Sequence, residues 1–136
     1  MKTKQYSILA IAAGFLMGAI PLLAHHSFEA EYDKAKPVKL TGTVTKLEWM
    51  NPHARFYVDV KDDKGATTNW EFELGSPNGL MRSGWTRNSL KQGDVITVAG
   101  SLAKDGSHLA NAQSVTMENG KKVLSGVSSA DDPNTK

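Results

Sequence analysis

The segment "PVKLTGTVTKLEWMNPH" changes, part-way along, the side of the chain on which its apolar residues fall. Val38, Leu40 and Val44 share one parity, whereas Leu47 and Trp49 take the other. Side chains alternate across a strand, so a strand with one buried face keeps a single parity throughout. A switch inside one strand calls for an extra residue or a tight bend, which a β-bulge or a glycine supplies. The expected bend lies between Gly42 and Lys46. Small curled barrels use such corners to close on themselves.

The rest of the chain reads as short strands and turns. Asn51-Pro52 marks a turn, because Asn favours turn initiation and Pro has no backbone donor for a ladder. In "ARFYVDV", Phe56, Val58 and Val60 point inward and Arg55, Tyr57 and Asp59 outward. "DDKG" is a hairpin loop, and "NWEFEL" follows with Trp70, Phe72 and Leu74 inward and Glu71 and Glu73 outward. Ser76-Pro77 predicts a helix start and Gly84 its stop, with Leu80 and Met81 packing on the barrel. A second helical turn is expected from Thr86 to Leu90. "KQGDVITVAGSL" is then a turn and a strand, "AKDGSH" a hairpin loop and "LANAQSVTM" the last strand.

Strand, strand, strand, helix, strand, strand, with a long bent first strand, is the order of the OB-fold. The fold expected is all-β with one short helix, an OB-fold-like five-stranded Greek-key barrel over residues 37–117. The alternative is a six-stranded β-sandwich that uses the charged lead-in, residues 25–36, as a strand. Residues 118–136 are polar and rich in Gly and Ser, and read as a flexible tail.

Residues 1–24 read as a signal peptide. Lys2 and Lys4 precede an apolar run from Ile8 to Ile20, too short for a retained span, and Ala24 suits the residue before a cut. The mature chain is then expected to start at His25, to be periplasmic or secreted, and not to insert in a membrane. Lys2 and Lys4 leave with the leader, so Lys and Arg fall from 16 to 14 and match the 14 acids. A neutral chain without a basic stripe makes nucleic acid an unfavourable partner. The chain has no cysteine, so no disulfide, thiolate catalysis or lipid anchor through Cys is available.

The histidines carry the chemistry. A mature amino terminus at His25 offers an α-amine and its own imidazole, which together chelate one metal ion; tetragonal nitrogen sites favour Cu(II). His26 and His53 are the further candidate ligands, so copper is the expected cofactor. His53 ends "NPH", in the loop between the first two strands; His108 lies in the loop between the last two, and both loops border the usual OB ligand face. Trp49, Asn51 and His108 are possible ligand contacts. His53 has a plainer reading as a turn residue bonded to a loop carbonyl, and His108 as a solvated loop residue. Residues 25–36, extended at about 3.3 Å each, span roughly 40 Å. The lead-in can therefore run back along the first strand and bring His25 or His26 to His53.

Glu71 and Glu73 share a strand face roughly 7 Å apart, a spacing some acid/base pairs use. They read chiefly as a solvated face, with Arg55 as cross-strand partner. Trp70 and Trp85 read as core. No phosphate loop, nucleophile elbow, HExxH or Cys/His finger is present, so no enzyme activity is expected.

The joined motifs "AHHSFEAEYD", "LTGTVTKLEWMNPHARFYVDV", "WEFELGSPNGLMRSGWTRNSLKQGD" and "ANAQSVT" resemble domain-of-unknown-function family 6152, small exported bacterial proteins, over about residues 24–117. The resemblance implies export and a compact β-rich domain, and carries no activity. Its hallmark positions are His25, His26, Ser27 and Phe28 in "HHSF", Asn51, Pro52 and His53 in "NPH", and Gly75, Ser76, Pro77 and Asn78 in "GSPN". The leading expectation is a periplasmic module that binds copper through His25, His26 and His53. The alternative is a metal-free module for a small ligand or protein, in which "HHSF" docks on the "NPH" turn and Phe28 fills an apolar notch.

Overall fold

The computed structural model describes residues 27–125. The elements are α1 (Ser27–Glu31), β1 (Tyr32–Glu48), β2 (Arg55–Lys61), β3 (Thr67–Glu73), α2 (Pro77–Arg82), β4 (Val95–Ala103), β5 (Leu109–Met117) and β6 (Lys122–Ser125). The sheet runs β3-β2-β1-β4-β5-β6. Antiparallel neighbours are joined throughout, and a parallel pairing of Glu71, Phe72 and Glu73 with Leu109, Ala110 and Asn111 closes five of the strands into a barrel. A closed five-stranded barrel with α2 between β3 and β4 is the OB-fold arrangement.

β1 turns its corner where the parity switch predicts. Its register with β2 slips between Val44 and Lys46. Gly42 sits beside the slip, and a Cβ there would lie 2.3 Å from the Asp59 carbonyl oxygen, so the two strands approach closely only without a side chain at that position. Alternation then sets the core. Phe56, Val58, Phe72, Leu74, Ile96, Val98 and Val115 are fully buried, and the Phe56 and Phe72 rings stack at 5.2 Å. Ser76 caps α2, accepting from the Gly79 N–H at 3.2 Å, with Pro77 behind it. Gly84 ends the turn at φ +89°, a region that favours glycine.

Five expectations change. The lead-in does not form a separate strand, which removes the sandwich. Residues 27–31 coil into α1, and Tyr32 and Asp33 lengthen β1 by pairing with Ala103 and Leu102 of β4. The arm therefore continues along β4 and does not fold back along β1. Met81 is exposed, because α2 is too short to turn more than the Leu80 side onto the barrel. Residues 86–90 form a turn, not a helix: Thr86 N–H donates to Ser89 Oγ and Ser89 N–H returns to the Thr86 carbonyl. Residues 122–125, placed in the tail by their composition, pair with β5 as β6.

The arm is held separately from the barrel core. Phe28, Tyr32 and Ala103 form their own buried cluster with Leu109 packed against it. The Phe28 and Tyr32 rings lie 5.3 Å apart. Lys104 ties the end of α1, its N–H donating to the Glu31 carbonyl and its ammonium to the Glu29 carbonyl. Between Asp33 and Pro37 the pairing with β4 slips, leaving Lys34, Ala35 and Lys36 exposed. Burying each aromatic contributes about 2–3 kcal/mol, so Phe28 and Tyr32 are the arm's main apolar anchors.

Candidate functional site

β2 and β3 pair so that Arg55 faces Glu73 and Tyr57 faces Glu71. Arg55 bridges both acids, with Nη1 to Glu71 Oε1 at 2.6 Å and Nη2 to Glu73 Oε2 at 3.2 Å. The other Glu73 oxygen, Oε1, lies 3.3 Å from Nδ1 of His53. Glu73 is 3 % exposed. The expectation of a solvated acid pair therefore fails at Glu73, which is buried, whereas Glu71 keeps partial access to solvent.

The covering group is Tyr32. Its side chain is buried beside Glu73, and its hydroxyl has no partner in ordinary hydrogen-bond geometry. Burial, followed by the charges of Glu73 and Glu31, pushes the phenol far above its usual range. Burial alone would raise the Glu73 carboxyl as well. The His53 hydrogen bond and charge, with the Arg55 guanidinium, outweigh that effect and hold it below the usual carboxylate range. A cavity of about 480 Å³ opens beside these groups, walled by Glu31, Tyr32, Arg55, Glu73, Lys104 and Leu109.

Curling of β1 explains the meeting of residues so far apart in sequence. Its first residue, Tyr32, reaches Glu73, and its last, Glu48, pairs in register with Arg55, the partner of Glu73. The residue after "NPH", Ala54, is bonded to the start of "GSPN". Ala54 N–H donates to the Gly75 carbonyl at 3.0 Å, and Leu74 N–H donates to the Ala54 carbonyl at 2.8 Å. Phe28 of "HHSF" packs against Tyr32 with the two rings tilted by 35°. Of the three motifs, "NPH" touches Glu73 through His53, and "HHSF" reaches its neighbour Tyr32 through Phe28.

The other expected site residues fall as follows. His53 is half-buried in the loop between β1 and β2, and the Glu73 carboxylate is a partner of its ring there. His25 and His26 lie outside the described residues. Trp49 packs partly against the core and Asn51 is exposed in the same loop as His53. His108 lies in the loop between β4 and β5 with its ring edge against Trp70 at 5.0 Å, so it belongs to the Trp70 side and does not join the Glu73 group. Trp85 is core, as expected. Among the described residues no three His, Cys, Asp or Glu side chains are arranged to hold a metal ion, and no helix is long and apolar enough to cross a membrane.

Tyr32 and Glu73 were not legible as site residues. A signal existed for the His53 contact: continuing the outward parity of β2 back from Arg55 places His53 on the same face, diagonal to Glu73. Nothing in "EAEYD" announces that Tyr32 will cover it.

Fold and site together define a small OB-fold-like barrel whose ligand-side loops and N-terminal arm enclose a buried carboxylate. The profile of the Family of unknown function (DUF6152) matches residues 14–124, and the chain belongs to that family. No match is found among curated proteins. Among solved structures, the mitochondrial single-stranded DNA binding protein Rim1 from S. cerevisiae is similar, with 7% identity and a TM-score of 0.48 over 61% of this chain and 93% of that one.

Proposed function

We propose that this protein is an exported metal-binding module that holds copper through the α-amine and imidazole of a mature amino terminus at His25, with His53, and His26 as a further candidate. The observation that carries this reading is the contact between His53 Nδ1 and the buried Glu73 carboxylate. Metal-ligating histidines characteristically donate one ring nitrogen to a carboxylate, which fixes the ring and raises the basicity of the other nitrogen. With Nδ1–H given to Glu73, the lone pair of a neutral ring resides on Nε2. The arm supports the same reading, since Phe28, three residues after His25, packs on Tyr32, which lies beside Glu73. Nitrogen donors in this number suit Cu(II). The outward face of β2 and β3, with the end of β1 beside it, carries Glu48, Asp59, Glu71 and Glu73 against Lys46, Arg55 and Lys61, which leaves no basic stripe for a polyanion. Copper delivery, storage or sensing is the role.

The test is a Cu(II) titration against a competing chelator, on protein exported and processed by its own signal and with its first residue established by intact mass. A single site that weakens at least tenfold in His53→Ala is expected. Binding unchanged in a His25→Ala, His53→Ala double variant refutes the site.

A second reading is a metal-free interaction module in which the arm is a structural clasp. The seating of Phe28 against Tyr32, Ala103 and Leu109 favours it, because that contact needs no metal. Absence of metal binding together with a loss of thermal stability in His53→Ala supports the clasp; unchanged stability counts against it.

A further inference from the structure

We infer that the cavity between the arm and the barrel mouth binds a primary ammonium group carried on a short alkyl chain. The inference stands apart from the copper reading, since it uses neither His53 nor a metal ion. The cavity holds about 480 Å³, within the roughly 300–1,000 Å³ of small-molecule sites. Three stretches distant in sequence build it: Glu31 and Tyr32 from the arm, Arg55 and Glu73 from β2 and β3, and Lys104 and Asp105 from the turn after β4.

Two observations of different kinds point to a ligand. The first is a buried polar group that the protein leaves unused. Tyr32 is 2 % exposed and lines the cavity, yet its hydroxyl has no partner in ordinary hydrogen-bond geometry. Buried hydroxyls in folded proteins are paired, so an orphan on a cavity wall marks a group that an incoming ligand satisfies. The second is the state of the charges. Glu31, Glu73 and Asp105 share the wall with Arg55 and Lys104, three acids against two bases. Both bases are engaged: Arg55 bridges Glu71 and Glu73, and the Lys104 ammonium donates to the Glu29 carbonyl. Asp105 accepts from Ser107 through Oδ1, and among the described residues no ion pair reaches it or Glu31.

This balance selects the ligand. An anion meets a net negative wall whose cations are taken, and a neutral polyol gains nothing from the excess charge. An ammonium has three N–H donors and no acceptor, which suits a phenol lone pair and carboxylate oxygens together. Charge-assisted bonds of this kind are the strong ones. Leu109 and Ala103 give the methylenes behind it an apolar wall. A free amine and a lysine side chain of a partner protein present the same group.

Calorimetric titration of the processed full chain, in buffer with EDTA, with n-butylamine, butanol and butyrate tests this, because the three probes differ only in the head group. Butylamine is expected to bind one to one and at least tenfold more tightly than butanol or butyrate. Tyr32→Phe keeps the ring, and is expected to weaken butylamine at least fivefold. Glu31→Gln, at an exposed position, is expected to weaken it by a similar factor with the fold intact by circular dichroism. N-acetyl-lysine methylamide separates the sources: binding tighter than that of butylamine assigns the cavity to a lysine side chain, and weaker binding assigns it to a free amine. Butylamine bound no more tightly than butanol overturns the inference, as does binding unchanged in both Tyr32→Phe and Glu31→Gln. Either result leaves the copper reading standing, because no metal takes part in the titration.

Discussion

The barrel core and the cluster at its mouth are built on opposite terms. The core buries Phe56, Val58, Phe72, Ile96 and Val98 with no charge among them. The mouth buries a few apolar side chains from the arm directly over Glu73, with Arg55 and His53 as its partners. Burial in the core is gained cheaply, because no solvated group is given up. At the mouth a carboxylate loses water and is kept ionised by the His53 contact and the Arg55 guanidinium beside it. A protein that needed only stability would leave that position apolar. The difference teaches that the barrel supplies the scaffold and the mouth is where free energy is spent on something other than folding.

Substitutions can break this contrast, starting with the largest effect. Phe72→Ala removes a fully buried ring stacked on Phe56, and a loss of about 3–5 kcal/mol in denaturant unfolding is expected. Glu73→Ala removes the carboxylate bound to His53 and one of the two that Arg55 bridges, leaving Arg55 its bond to Glu71. Arg55 is part-exposed and can rehydrate, so the expected loss is about 2 kcal/mol, short of the cost of breaking a fully buried pair. Phe28→Ala is expected to cost only about 1 kcal/mol of global stability, because the arm opens locally before the barrel yields; rapid exchange in 28–36 is the accompanying sign. A loss as large as that of Phe72→Ala merges the two regions into one cooperative core and removes the contrast.

The smallest effect sharpens the account. Tyr32→Phe deletes a buried hydroxyl without a partner of ordinary geometry, and a change within about 1 kcal/mol is expected, of either sign. The pH dependence adds a separate reading. Glu73 is held below its ordinary 4.5. Its contribution is therefore fully present above that value and is lost as pH falls through the lower folded-state value. Stability curves against acid are expected to converge for wild type and Glu73→Gln below that range and to separate above it. Parallel curves at all pH values mean that Glu73 is not ionised in the folded protein.

The barrel was legible in the sequence because its rules are local. Period-two alternation in β2 and β3, the parity switch in β1 and the Ser76-Pro77 cap each act within a few residues, and each is where the structure has it. The mouth was not legible, because it is made by closure. Glu73 has the pattern of an outward strand residue and becomes buried only when Tyr32, some forty positions earlier, is carried round by the curl of β1. Helix α1 carries no helical period in "SFEAE", and β6 offers too few apolar residues to stand out from a polar tail. Histidines were easy to notice; their partner was not.

The central claim, that Glu73 presents His53 as a metal ligand, is tested most directly by pulsed electron spin resonance on the Cu(II)-loaded, processed protein beside His53→Ala. Remote imidazole nitrogen couplings that diminish by one ring in the variant are the predicted result. Identical spectra from the two proteins contradict it.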